Sequence, residues 1–183
     1  MRVVIADDHP VVLMGVRLAL QNQGARFEIV GEAANGKGLI DLLSSVQCDL
    51  LITDFAMSDA SGGDDGLMLL ESLRELYPNL PIVVLSMLNN PALVQGMLAV
   101  GVRAVVDKMS FTKELMLAIS SVTAGRIYLS EHTRKQMIEY GAAQAVIGTL
   151  AAGSPVTLVR FVQLFGFRIC VGIDAPRGAV VTH

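Results

Sequence analysis

The chain has 183 residues, which is enough for one domain with an extension or for two small domains. Hydrophobic residues make up 52% and charged residues 17%, a composition that excludes an intrinsically disordered chain. The net charge is −3, and residues 1–140 hold 11 Lys or Arg against 16 Asp or Glu. This acidic balance argues against a nucleic-acid-binding surface in that part of the chain.

In chain order, apolar β-prone runs alternate with segments of helical periodicity. The predicted strands are Arg2–Ala6, Phe27–Ala33, Leu50–Thr53, Ile82–Leu85 and Arg103–Asp107. The predicted helices begin at Pro10, after the turn at Asn35-Gly36, at Leu67, at Pro91 and at Phe111. Five strand–helix units in a row predict an α/β fold, a doubly wound parallel sheet with helices on both faces. Right-handed crossovers then bring the carboxyl ends of all five strands to one edge, where such sheets bind ligands.

Polar side chains follow four of the predicted strands. Asp7 and Asp8 come after the first strand, Asp54 after the third, Ser86 after the fourth and Lys108 after the fifth. Three clustered carboxylates repel one another, by about 1 kcal/mol per pair at 4 Å in water and about 4 kcal/mol at an intermediate dielectric constant. Such a cluster needs either a cation or raised pKa values, and oxygen ligands favour a hard divalent ion such as Mg²⁺. A carboxylate can also attack phosphorus to form an acyl phosphate, so the set favours phosphoryl acceptance.

Each of these residues has a simpler explanation when it is taken alone. An Asp-Asp pair is common at a helix start, and single Asp, Ser and Lys residues are common in loops and on surfaces. The joint placement at four strand ends is what favours a functional site. His9 lies beside the acids, but a single His before Pro is more typical of the start of a helix than of a metal ligand.

The same set of residues resembles the receiver domain of bacterial response regulators over residues 1–125. The stretches 5–10 (Ile-Ala-Asp-Asp-His-Pro) and 108–115 resemble the NarL/LuxR-type branch, and stretches 51–54 and 83–91 are most similar to its Rcs capsule-synthesis type. The resemblance implies a flavodoxin-like, five-stranded sheet of order 2-1-3-4-5 with a short C-terminal extension.

The resemblance also implies a role for each site residue. Asp54 would be the phosphoacceptor, with Lys108 pairing with the phosphoryl group and Ser86 moving toward it. Asp8 would bind Mg²⁺ directly and Asp7 directly or through water. Asp54 and the backbone carbonyl of Ala56 would complete the metal site.

The C-terminal part departs from that branch. Residues 126–150 are predicted to form a linker helix, and residues 151–183 an atypical apolar tail in place of a DNA-binding domain. The tail keeps only Gly153-Ser154-Pro155 of the expected opening motif, and no basic recognition helix can be drawn. We hypothesise that the reading frame shifts near Ser154 or that the output domain was lost, and the alternative is a functional C-terminal strand or dimer element. The uncharged stretch 140–159 contains polar residues and a proline, so we do not expect a membrane helix.

The leading hypothesis is a two-component response regulator in a phosphorelay that controls transcription, and not an enzyme. The expected partners are a sensor histidine kinase or a His phosphotransfer protein, with a possible receiver homodimer, and DNA only if an output domain is present. We expect a cytoplasmic protein, because no signal peptide is evident and Cys48 and Cys170 form no paired motif. One alternative is a DNA-binding regulator acting through its C-terminal part. A phosphohydrolase is the other, although the haloacid type needs Asp-x-Asp where this chain has adjacent acids.

Overall fold

A computed structural model of the chain describes residues 1–57, 66–87, 90–151, 161–164 and 167–170, with side chains up to residue 141. By its packing the chain divides into two units, residues 1–137 and residues 138–183. The first unit holds the whole of the predicted sheet. Residues 58–65, between β3 and α3 in the chain, lie outside the described residues.

The first unit alternates strands with helices along the chain, as the sequence predicts. Its strands are β1 Arg2–Ala6, β2 Glu28–Ala33, β3 Leu50–Asp54, β4 Ile82–Ser86, β5 Ala104–Asp107 and β6 Tyr128–Leu129. Its helices are α1 Pro10–Gln21, α2 Gly36–Ser45, α3 Gly66–Leu76, α4 Pro91–Ala99 and α5 Phe111–Thr123, with a short 3-10 turn at Gly24–Arg26. Helix α6, Glu131–Ala151, crosses the boundary between the two units.

The strands form one parallel sheet in the order β2-β1-β3-β4-β5-β6. This confirms the doubly wound fold and the order 2-1-3-4-5, and it adds a sixth strand. Every residue of β3 and β4 is buried, as expected for central strands covered by helices on both faces. The carboxyl ends of β1, β3, β4 and β5 therefore lie side by side at one edge.

Local sequence signals explain where the helices begin and end. The side chain of Asn35 accepts a hydrogen bond from the backbone N–H of Gly38 (2.8 Å) and caps α2. The side chain of Asn90 accepts one from the backbone N–H of Ala92 (2.9 Å) and caps α4. Helix α4 ends at Ala99, and Gly101 takes a left-handed conformation just beyond it, φ 98°.

The sixth strand was not predicted. Tyr128 and Leu129 pair with Ala104 and Val105, so the chain after α5 extends the sheet before α6 begins. Ser130 follows and donates its backbone N–H to the carbonyl of Val105 (3.0 Å). Two residues are too few to show a period-2 pattern, and this strand exists because β5 offers it an open edge.

The second unit contains two short antiparallel strands, β7 Phe161–Leu164 and β8 Phe167–Cys170. They fall within residues 151–183, the predicted apolar tail. The Gly153-Ser154-Pro155 motif and the end of the tail lie outside the described residues. Among the helices that the structure describes, none combines the length and the apolar character needed to cross a bilayer.

Gly66 is the first residue of α3, and the backbone needs it to be glycine. A Cβ atom at this position would overlap the backbone carbonyl oxygen of Phe55, one residue after Asp54, and would lie 3.0 Å from the Phe55 ring. We expect Gly66→Ala to lower the free energy of unfolding by about 1–3 kcal/mol, because backbone must move to make room. Urea unfolding followed by circular dichroism measures the change.

Gly96→Ala is the matched control for that substitution. Gly96 lies inside α4, and the atoms nearest to an added Cβ belong to the flexible Leu67 side chain, at 3.3 Å. We expect it to be neutral or to stabilise by about 0.5–1 kcal/mol, because alanine is a better helix former. Equal losses in the two variants would show that the contact with Phe55 is unimportant.

Candidate functional site

The carboxyl edge of the sheet gathers the polar side chains that the sequence singled out. Asp7 and Asp8 follow β1, Asp54 and Ser86 are the last residues of β3 and β4, and Lys108 follows β5. Asp7, Asp54 and Ser86 are each at most 3% exposed. Buried polar groups of this kind require partners, and for Asp7 and Asp54 one such partner is the ammonium of Lys108.

Lys108 joins two of the carboxylates. Its ammonium nitrogen Nζ lies 2.7 Å from Asp54 Oδ2 and 2.8 Å from Asp7 Oδ2, and its side chain is 8% exposed. These are short, charge-assisted contacts in a site with little solvent. The sequence prediction that separate strands would bring Lys108 and Asp54 together is therefore confirmed in the geometry.

Backbone hydrogen bonds hold these residues at the edge. The N–H of Lys108 donates to the carbonyl of Ser86 (3.0 Å), which continues the β4–β5 pairing past the end of β5. Asp107 then accepts the backbone N–H of Met109 (2.8 Å), which forms a tight turn before α5. Because the turn is closed in this way, the Lys108 side chain is directed back toward β3 and β1.

The electrostatics of Lys108 reflect two opposing effects. Burial by itself lowers the pKa of Lys108, but the hydrogen bonds to Asp54 and Asp7 outweigh it and leave the pKa above its usual value. The ammonium is therefore fully charged at neutral pH. One ammonium faces three carboxyl groups in this cluster, so the acidic side chains outnumber the lysine.

The carboxylates and the neighbouring histidine meet the requirements of a divalent cation site. Asp7, Asp8, His9 and Asp54 each offer one ligand atom, and these atoms all lie within 4.8 Å of one another. Asp7 Oδ2 and Asp8 Oδ1 are shielded from solvent, and three carboxylates offer the hard oxygen atoms that Mg²⁺ prefers. The residues present therefore fit a divalent cation.

For two of the predicted site residues, Ser86 and Ala56, the structure gives the burial and the place in the chain. Ser86 is buried at the end of β4, next to Asp54 across the β3–β4 pairing, where Leu85 pairs with Asp54. Ala56 is exposed two residues beyond Asp54, and the residues from 58 to 65 that follow it are outside the described part. The assignment of the Ala56 carbonyl as a metal ligand stays a prediction.

Sequence reasoning missed two features of this region. The His9 ring contacts both neighbouring acids, with its Nδ1 2.7 Å from Asp8 Oδ1 and 3.1 Å from Asp7 Oδ1. In addition, Glu114 accepts hydrogen bonds from Ser110 Oγ and Tyr128 Oη, both at 2.8 Å, which connects the turn after Lys108 to β6. The Asp-Asp-His-Pro run was a signal for the contacts of His9 with the acids. The hydrogen bond between Tyr128 and Glu114 had no such signal, because it depends on β6.

Comparison with known proteins agrees with this geometry. The family model of the response regulator receiver domain matches residues 3–120. The transcriptional regulatory protein RcsB of Escherichia coli (strain K12) is 33% identical over 142 residues, which cover 78% of this chain and 65% of RcsB. The chain thus spans 65% of the length of that curated relative.

Two solved structures show the same fold at similar identity. One is the isolated receiver domain of RcsB from Salmonella enterica serovar Typhimurium with the phosphomimetic BeF3−, with a TM-score of 0.68, 33% identity, and coverage of 75% of this chain and 98% of that one. The other is an RcsB–DNA complex, with a TM-score of 0.69, 31% identity, and coverage of 86% and 79%.

Proposed function

The chain belongs to the response regulator receiver family, and from this membership we propose that it accepts a phosphoryl group on Asp54. The donor in this proposal is a phosphohistidine of a sensor histidine kinase or of a His phosphotransfer protein. The observation that carries the proposal is the contact of one buried ammonium, Lys108 Nζ, with both Asp54 and Asp7. A carboxylate beside a fixed cation at a strand end is suited to attack phosphorus and to hold the product.

The proposed transfer uses the side chains in separate roles. An Asp54 carboxylate oxygen forms a bond to phosphorus while the phosphorus–nitrogen bond of phosphohistidine breaks, and the imidazole leaves with the electron pair. Lys108 then pairs with a phosphoryl oxygen, and the hydroxyl of Ser86 hydrogen-bonds the product. Asp7, Asp8, Asp54 and the Ala56 carbonyl would hold Mg²⁺, which supplies charge neutralisation for the transferring group.

Incubation with acetyl phosphate and Mg²⁺, followed by intact mass measurement, tests this proposal. We expect the wild-type protein to gain the mass of one phosphoryl group and Asp54→Asn to gain none, because an amide cannot form the acyl phosphate. Asp41→Asn, at an exposed aspartate of α2, is the matched control and should be modified like wild type. A phosphoryl group on the Asp54→Asn protein would contradict the assignment.

The output of the relay is proposed to be the control of transcription, in the cytoplasm and without an enzymatic product of its own. The relatives that carry this receiver are named as transcriptional regulators, and one of them has been solved bound to DNA. A gel shift with phosphorylated protein separates a regulator that binds DNA through its C-terminal part from one that signals without DNA. Translation of the gene in the other two reading frames tests the frameshift hypothesis, which fails if neither frame encodes a helix-turn-helix.

A further inference from the structure

We propose that His9 is a selectivity ligand of the acidic cluster, whose imidazole nitrogen lets the site bind borderline divalent transition-metal ions such as Ni²⁺ in addition to Mg²⁺. This inference rests on the proposed cation site of Asp7, Asp8 and Asp54. It concerns which ions that site accepts, and it assigns a role to a residue outside the expected ligand set.

The position of the His9 ring is the first support for the proposal. Nδ1 lies 2.7 Å from Asp8 Oδ1 and 3.1 Å from Asp7 Oδ1. One nitrogen of the ring also belongs to the cluster of ligand atoms, all within 4.8 Å of one another, that includes an oxygen of Asp54. The side chain is 66% exposed, so the ring can adjust without disturbing the core. An ion held by these carboxylates would therefore have a nitrogen ligand within reach.

The start of α1 does not explain this ring position. His9 is the N-cap residue of α1, yet its side chain makes no capping hydrogen bond to the helix. The backbone carbonyl of His9 accepts the N–H groups of Val12 (3.0 Å) and Leu13 (3.3 Å), and Pro10 needs no acceptor. The helix start thus uses only the backbone of His9, and the ring is turned toward the acids instead.

The chemistry of the donor atoms gives the expected selectivity. Mg²⁺ favours oxygen ligands and keeps several waters, so it gains little from an imidazole. Nickel, copper and zinc ions bind imidazole nitrogen well, and their affinities exceed that of manganese for the same site. Removing His9 should therefore weaken Ni²⁺ binding and leave Mg²⁺ binding nearly unchanged.

Calorimetric titration of the untagged full chain with Ni²⁺ alone and with Mg²⁺ alone tests the inference. For His9→Ala we expect the Ni²⁺ dissociation constant to rise at least about tenfold and the Mg²⁺ constant to stay within about threefold. The visible absorption of bound Ni²⁺ should also shift, because a nitrogen ligand is replaced by water. His132→Ala removes an exposed histidine of α6 and should change neither constant, and His9→Gln repeats the test with a side chain that keeps its polarity.

The outcomes separate this inference from the proposed function. If wild type binds Mg²⁺ but His9→Ala binds Ni²⁺ as tightly as wild type, the role of His9 is wrong and the cation site stands. If His9→Ala weakens both ions equally, His9 positions the carboxylates and is not a selectivity ligand, which also overturns the inference. If wild type binds neither ion, the cation site itself fails, and the proposed function loses its metal along with this inference.

Discussion

Lys108→Met is expected to lower the free energy of unfolding by about 3–5 kcal/mol in buffer free of divalent cations. The substitution keeps an aliphatic chain of similar length but removes the ammonium that contacts Asp7 and Asp54. Both carboxylates are nearly inaccessible to solvent, so their charges lose the partner that compensates for their burial. Urea unfolding with a chelator present measures the loss, and Mg²⁺ should restore part of it by binding the folded state.

Two further variants show whether burial of the ion pair is the cause. Lys135→Met removes a lysine that pairs with Glu131 at 2.9 Å on the surface of α6, where both side chains are at least 65% exposed. We expect it to cost less than about 0.5 kcal/mol, as exposed helix pairs usually do. The double variant Asp54→Asn with Lys108→Met should be more stable than Lys108→Met alone, because one buried charge fewer is left. A Lys108→Met protein as stable as Lys135→Met would contradict this account of the site.

The sequence predicts the sheet and most of the site because both depend on local patterns. Continuous apolar runs such as Leu50–Thr53 and Ile82–Leu85 indicate central strands, and parallel strands place their carboxyl ends together. Once that edge is known, polar residues after the strands must converge. That Lys108 and Asp54 lie at the same edge thus follows from topology, whereas the direction of the Lys108 side chain depends on the turn before α5.

The remaining features depend on contacts that no local pattern encodes. Strand β6 forms because β5 has an open edge, and Glu114 reaches Tyr128 only after that pairing is made. Burial and this hydrogen bond together raise the pKa of Tyr128 to about 12. The orientation of His9 likewise depends on side-chain geometry, because the same Asp-Asp-His-Pro run is compatible with a ring turned away from the acids.

Arg74 is a further case, and it leads to the second large expected effect. Arg74→Met should lower the free energy of unfolding by about 2–4 kcal/mol, because its guanidinium closes the C-terminal ends of two helices. Nε and Nη2 donate to the carbonyls of Val100 (3.2 Å) and Gly101 (2.8 Å) after α4. Nη1 donates to carbonyls in the chain after α3, namely those of Pro78 (2.6 Å), Leu80 (3.2 Å) and Tyr77 (3.5 Å).

The shape of the guanidinium, and not its charge alone, explains this effect, and Arg74→Lys separates the two. An ammonium is a point donor on a flexible stem and cannot donate to carbonyls of two chain segments at once. We therefore expect Arg74→Lys to recover no more than about half of the stability that Arg74→Met loses. Arg103→Met removes an exposed arginine whose positive charge repels that of Arg74. We expect this variant to be neutral or slightly stabilising. Urea unfolding of the three variants decides the matter. Full stability in Arg74→Lys would mean that charge suffices, whereas loss in both Arg74 variants, with Arg103→Met unchanged, would show that the fork of donors connects α3 to α4.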